Sequence, residues 1–430
     1  MIDCNYIPTS GVIKIDSLVT NRSVQLKVLE VNDYAFYNND SITALVVNHK
    51  GSIGDYAFYD CDALTTVTAS NNGNIGWSAF GYCRALTTAS INNTGSIGNY
   101  AFANCNMGNS LTIGENVTTI GDYAFIYNKG LKEVVIPDNI GGMGDCAFAG
   151  CSLLESVKIG KGISVLNRRL FSGCSSLSSL TIPSNIKTIN DYVFDGCTSL
   201  SDVTFEDAAD EIATVLTLGS NGSSSMFADC PLDEVYIGRK LSYETSSSYG
   251  YSPFYRNTSL RSVKITDLET QIYDNEFYGC SNLQEFTCGD GVTQIGKWAF
   301  SGCSTLKSYA SGTSVKSIGA EAFSDCTALT SFITLAAVPP VCGNQALDDI
   351  NKWECSLYVP AESVDDYQAA DQWKEFFFIE ADAGIEDVVV DEAKAIVVGY
   401  YNMQGVMSAE PWKGLNIVVY SDGSHRKMFK

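Results

Sequence analysis

Apolar and polar positions alternate in short runs that keep returning along the chain. Forms such as Leu154-Glu-Ser-Val-Lys-Ile159 and Leu177-Ser-Ser-Leu-Thr-Ile182 end in the period-two alternation of a short strand with one buried face. An Ala-Phe pair or its equivalent stands ahead of each run. With Phe as the anchor there are thirteen units, at Phe36, Phe58, Phe80, Phe102, Phe125, Phe148, Phe171, Phe194, Phe227, Phe254, Phe277, Phe300 and Phe323, and all but two of the steps are 22 or 23 residues. Five residues before the Phe an apolar residue recurs, such as Ile53, Ile75, Ile97 or Leu166. Next comes Gly (Gly54, Gly76, Gly121, Gly144) or Asn (Asn32, Asn167, Asn190), residue types that suit a corner at positive φ. Asp often follows, as at Asp33, Asp55, Asp122 and Asp145, and is expected to cap a single helical turn that carries Ala-Phe inward. Pro137 and Pro183 then end strands, having no N–H to continue a ladder. A unit of strand, corner and helical turn is too small to bury its own apolar face, so the units must stack.

Three residues after each Phe stands Cys or Asn: Cys61, Cys83, Cys105, Cys151, Cys174, Cys197, Cys230, Cys280, Cys303 and Cys326, with Asn39, Asn128 and Asn257 taking the same place. A position that exchanges Cys for Asn is using small size and hydrogen-bonding ability, not metal affinity. These residues are therefore read as a structural column, and no metal site is expected from them.

The register Ile-Gly-x-x-Ala-Phe-x-x-Cys-x-x-Leu-x-x-Val-x-Ile, carried by residues 30 to 335, resembles the BspA-like or treponemal-type leucine-rich repeats of bacterial cell-surface proteins. The expected fold is an α/β repeat: a leucine-rich repeat solenoid with a parallel sheet on one face, short helical turns or loops on the other, and a small β-rich C-terminal module. In outline, residues 1–32 form an N-terminal capping segment and 33–335 the thirteen repeats, followed by a C-terminal cap at 336–380 and a β tail at 384–430. Cys342 and Cys355 flank the cap and leave either a disulfide or two buried thiols open. The tail, with Tyr401-Asn-Met-Gln-Gly405 and a basic end at Arg426, Lys427 and Lys430, is similar to the C-terminal sorting domains of type IX secretion cargo, though shorter; packing on the cap is the alternative.

Two insertions break the spacing, near 206–225 and 241–253, and insertions in solenoids go to loops where binding surfaces are often built. The second mixes tyrosines with Ser and Gly, which supplies amphipathic contact area and adaptable hydrogen bonds; packing of those tyrosines on a neighbouring coil is the other reading. Together with the lightly charged outer strip of the sheet, it nominates Tyr236, Arg239, Tyr243, Tyr249, Tyr251, Arg261 and Lys264 as ligand-binding residues.

Charge and chemistry narrow the function. A net charge of −22 repels phosphate backbones and anionic lipid surfaces, so nucleic acid is not an expected partner. No apolar run is long enough to span a bilayer, and Met1 to Ser10 lacks the pattern of a signal peptide, so the chain is expected to be cytosolic or to lack its targeting segment. The two histidines, His49 and His425, assemble no nucleophile, base and orienter set, and His49 is read as a solvated edge residue. Neither a cofactor nor a metal is expected. The resemblance implies a non-enzymatic, monomeric adhesion or recognition module, cell-surface or secreted, for a host matrix or cell-surface protein. A glycan-capturing accessory protein using exposed tyrosines is the alternative.

Overall fold

The computed structural model describes residues 11–16, 18–21, 24–27, 29–108, 110–208, 215–220, 224–243, 252–382, 397–401, 407–408, 415–420 and 425–429. It divides into two compact units, Met1–Ala381 and Asp382–Lys430. The first is the solenoid. Its longer strands, such as Thr66–Ala69, Ser179–Ile182 and Ser262–Ile265, pair in parallel with the equivalent strand of the next coil and form sheets of five, two and nine strands. A second, narrower parallel ladder runs beside the corner through strands of two or three residues, such as Thr119–Ile120 and Gln294–Ile295. The coil geometry continues one turn past Phe323: Val341–Cys342 joins the narrow ladder, and Ala346 and Leu347 are buried in the place of Ala-Phe. Strands Ser356–Val359 and Phe378–Ala381 then extend the nine-stranded sheet to its end, with helix Val364–Ala369 between them. The second unit is a four-stranded antiparallel sheet, Val397–Tyr401, Met407–Ser408, Leu415–Tyr420 and His425–Phe429.

The Phe column is the core. Every anchor from Phe58 to Phe323 is fully buried, while Phe36, the first, is half-buried. Successive rings stack nearly parallel, as in Phe58–Phe80 at 5.2 Å and Phe125–Phe148 at 5.2 Å between centroids. Beside it the Cys column lies buried. Each thiol donates to the carbonyl oxygen of the Phe one coil earlier, from Cys83 Sγ to Phe58 O at 3.1 Å to Cys230 Sγ to Phe194 O at 3.6 Å. Asn128 makes the same bond through Nδ2, to Phe102 O at 2.8 Å, and Asn257 reaches Phe227 O at 3.1 Å. The exchange of Cys with Asn thus rests on one shared donor. Burial pushes the Cys151 and Cys280 thiols up to about 12, which keeps them protonated and able to donate. All fourteen described cysteines are free, Cys342 and Cys355 included.

The turn that carries Ala-Phe is not helical, and the reason is where its N–H groups go. In the first coil Tyr34, Phe36 and Asn38 donate to Asp55, Ala57 and Tyr59 of the next coil at 2.9, 2.7 and 2.8 Å, and later coils repeat the scheme. N–H groups drawn along the stack cannot close i→i−4 rings. Two residues four apart in each such turn instead take positive φ: Tyr34 at 56° and Asn38 at 54°, Tyr56 at 55° and Asp60 at 57°. Val364–Ala369 is accordingly the single α-helix among the described residues.

Two further expectations change with it. The corner glycines do not use positive φ; that freedom is spent six residues later, at Gly150, Gly173 and Gly196, with φ of 69°, 73° and 71°. At Gly54, Gly76 and Gly144 the limit is space instead, since a Cβ there would lie 2.5, 2.5 or 2.2 Å from atoms of the preceding coil. The Asp carboxylates, likewise, do not cap their own turn. Asp33 Oδ1 accepts from the Asp55 N–H at 2.7 Å, and Asp122 Oδ1 from the Asp145 N–H at 2.9 Å, so each is a rung to the following coil. His49 is buried and not solvated; its Nδ1 accepts from the Gly51 N–H at 3.3 Å, and burial lowers its pKa.

Phe171→Ala should cost about 3 to 5 kcal/mol, and Thr181→Ala, on the exposed face, under about 0.5 kcal/mol; equal shifts in a denaturant midpoint would contradict the inward column. At the corner, Gly144→Ala should lower the Tm sharply, because preceding backbone blocks the Cβ. Asp325→Gly, at a φ of 60° in the column that holds Gly302, should change stability by less than about 1 kcal/mol. Calorimetry on the pair separates close approach from φ strain.

Candidate functional site

The nominated residues do not form one patch. Arg261 and Lys264 lie on the outer face of the nine-stranded sheet, where Lys264 pairs in register with Tyr236. Arg261 forks onto Asp233, Nε to Oδ1 at 2.9 Å and Nη2 to Oδ2 at 3.2 Å, and also reaches Glu234; these bonds hold its pKa above the ordinary value. The Tyr236 hydroxyl donates to Asp207 Oδ1 at 2.8 Å. Arg239, by contrast, is buried. Its guanidinium donates to the carbonyls of Ile182, Pro183, Ser184 and Ile186 at 2.8 to 3.2 Å, and burial lowers its pKa to about 10. Tyr243 is buried too, its ring 4.6 Å from that of Tyr273. Both therefore serve the scaffold, Arg239 because the carbonyls it binds sit inside the stack and Tyr243 because it packs on the neighbouring coil. Tyr249 and Tyr251 lie outside the described residues.

Under the stem of that insertion sit two carboxylates that motif reading does not reveal. Glu269 Oε2 accepts from the Leu241 N–H at 2.7 Å and its Oε1 from the Thr270 N–H at 2.8 Å. Glu276 Oε2 accepts from the Tyr273 N–H at 2.7 Å. Burial, then the charge of Glu269, raises the Glu276 pKa to about 8. At 3% and 2% exposure neither faces a substrate; they brace backbone. No group of acidic, Cys or His side chains able to hold a metal ion occurs among the described residues.

The exposed aromatic surface lies elsewhere, on the turn side of the early coils. Tyr34 and Tyr56 stack at 5.1 Å, Tyr100 and Tyr123 at 4.6 Å, and Trp77 fills the interval with centroids 6.2 and 6.5 Å from Tyr56 and Tyr100. Tyr37 and Tyr59 make a second short column at 5.3 Å. Tyr34, Tyr37 and Trp77 remain 58%, 48% and 50% exposed, which is unusual for rings that large. Their signal was present in the repeat, since Tyr34, Tyr56, Tyr100 and Tyr123 all stand two residues before their Phe.

The BspA type leucine-rich repeat family model matches residues 29–153, 95–220, 123–252 and 247–341, a span of well over half of the chain. This chain belongs to the BspA-type leucine-rich repeat family. Similar solved structures include a leucine-rich repeat protein from Bacteroides ovatus, with 23% identity, 88% of this chain and 94% of that one covered, and a TM-score of 0.47. A leucine rich cell surface protein from Faecalibacterium prausnitzii shares 22% identity over 76% of this chain and 88% of that one, with a TM-score of 0.31. Among curated proteins no sequence matches. In this BspA-type repeat array the repeated columns build the scaffold, and the outward side chains vary more from coil to coil: Arg261 among carboxylates on the sheet, and Trp77 among tyrosines on the turns. No helix among the described residues is long and apolar enough to cross a membrane.

The raised pKa of Glu276 gives a pH signature. Its folded value, about 8, lies above its ordinary 4.5, so the stability tied to its proton is complete below about 4.5 and is lost as pH rises through about 8. Wild-type Tm should therefore fall across that window, and Glu276→Gln should flatten the fall. Parallel wild-type and variant curves would refute a neutral buried Glu276.

Proposed function

We propose that this chain is a non-catalytic recognition module, displayed at the cell surface or secreted, that adheres to host or cell-surface macromolecules. The observation that carries the reading is the uncovered aromatic surface of the early coils. Large aromatic rings dominate interface energetics, and exposed apolar patches on a rigid scaffold mark contact surfaces. The Arg261, Asp233 and Glu234 cluster on the sheet face supplies a charged second contact, and the insertion with Tyr249 and Tyr251 a third. The family supports surface display, as does the resemblance of the tail to a sorting domain. A glycan-capturing role is the second reading, favoured by Trp77 standing beside carboxylates and amides.

Adhesion of the full chain to immobilised decellularised extracellular matrix tests the role. The double variant Tyr34→Ala, Tyr37→Ala should lose most retention while keeping its Tm, and Tyr249→Ala with Tyr251→Ala probes the insertion in the same assay. Retention unchanged in both variants would refute these contact surfaces. Retention that vanishes after enzymatic removal of the matrix glycans would favour the second reading.

A further inference from the structure

Along the narrow ladder of the first four coils runs an open groove of about 700 Å³. Its floor carries Gly54, Gly76 and Gly98, which cannot be enlarged because a Cβ would come within 2.5, 2.5 and 2.7 Å of the coil before. Two residues before each glycine stand Ser52, Asn74 and Ser96, and the residue after each is Asp55, Trp77 and Asn99. Each coil thus offers the groove hydrogen-bonding side chains or an aromatic ring, at the coil spacing of about 4.8 Å.

These side chains are held by one atom and keep another for a ligand. Asp55 Oδ1 accepts from the Trp77 N–H at 2.7 Å, Asn74 Oδ1 from the Ser96 N–H at 2.9 Å, and Asn99 Oδ1 from the Asp122 N–H at 2.9 Å. Asp55 Oδ2 and the two amide NH₂ groups take no part in those bonds. Trp77 breaks this series, since an indole has no acceptor for the next coil, and its ring is tilted by 35° and 28° to its tyrosine neighbours, where Tyr100 and Tyr123 lie within 8° of parallel. Half-exposed and tilted in the interval between two tyrosines, it offers apolar surface beside polar groups.

The occupant follows from exclusions. The floor backbone is already spent between coils, Gly54 N–H to Val31 O at 2.7 Å and Gly76 N–H to Ile53 O at 2.8 Å, so an extended peptide finds no strand edge to join. Glu30, Asp33 and Asp55 line the same groove and repel phosphate, sulfate or uronate chains. We propose that the groove binds an extended neutral glycan lying along the stack, about one sugar per coil, its C–H faces on Trp77 and its hydroxyls on Asp55, Asn74 and Asn99. Coil spacing and pyranose length are alike, so one register serves several sugars. This names a ligand class for the second reading above and rests on it.

Calorimetric titration of the full chain with cello-, chito- and manno-oligosaccharides of about four to six sugars tests the groove. At least one series should bind, with Trp77→Ala weakening it by about tenfold. Asp55→Asn, which keeps the rung to Trp77 as Asn99 keeps its own, should weaken binding several-fold at unchanged Tm, and Trp298→Ala on a remote coil should leave it unchanged. No binding by any series, or equal affinity in the Asp55→Asn and wild-type chains, overturns the proposal. Salt-sensitive binding of a lysine-rich peptide that Asp55→Asn weakens, with every sugar silent, overturns it in favour of a cationic ligand. Matrix adhesion that persists while all sugars fail removes the groove and leaves the recognition role standing; sugar binding without matrix adhesion does the reverse.

Discussion

The N–H groups of the Ala-Phe turn must find carbonyls, and in this chain they find them on the next coil. That constraint shapes most of the solenoid. Because Tyr34, Phe36 and Asn38 donate along the stack, the turn cannot wind into a helix, and its flanking positions Tyr34 and Asn38 take positive φ. Because the coils sit only one strand spacing apart, the corner has no room for a Cβ at Gly144. The same closeness brings each Cys thiol to the Phe carbonyl one coil earlier, where in the later coils it is a second donor beside a backbone N–H, as at Phe171 O, which also accepts from the Cys174 N–H at 3.0 Å.

Once the interior is committed in this way, function is left to the side chains that the stack does not need. The narrow ladder and the turns behave differently from the broad sheet. On the sheet the outward residues are mostly short hydroxyls, with charge gathered around Arg261. On the turns of the early coils the outward residues are aromatic. Glycine on the narrow ladder, needed for close approach, also lowers the surface there and so leaves a channel between the rows on either side.

The repeated features were legible in the sequence because repetition averages out local accident: the Phe column, the Cys and Asn exchange and the parallel strands each appear many times. The helical turn was not, since its alternative depends on hydrogen bonds to residues 21 positions away, such as Phe36 to Ala57, which no local propensity encodes. The candidate site was less legible still. Arg239 and Tyr243 look like surface residues by type and by their place near an insertion, yet the stack buries both. Glu269 and Glu276 carry no motif, and their burial follows from the path of one irregular coil. The tyrosines two residues before Phe were periodic, and only their mutual stacking and exposure needed coordinates.

Arg239 joins coils that do not touch through the sheet. Ile182 pairs with Phe205 and Phe205 with Ile237, so the guanidinium beyond Ile237 reaches carbonyls two rungs away, across the level where the 206–225 insertion leaves the regular path. Exchanging the arginine would take a donor from the Ser184 and Ile186 carbonyls, while Ile182 O would keep the Glu206 N–H and Pro183 O the Ile186 N–H, each at 3.1 Å. One side chain thus clasps two coils that are not neighbours, and the coil between them cannot be removed without displacing that clasp.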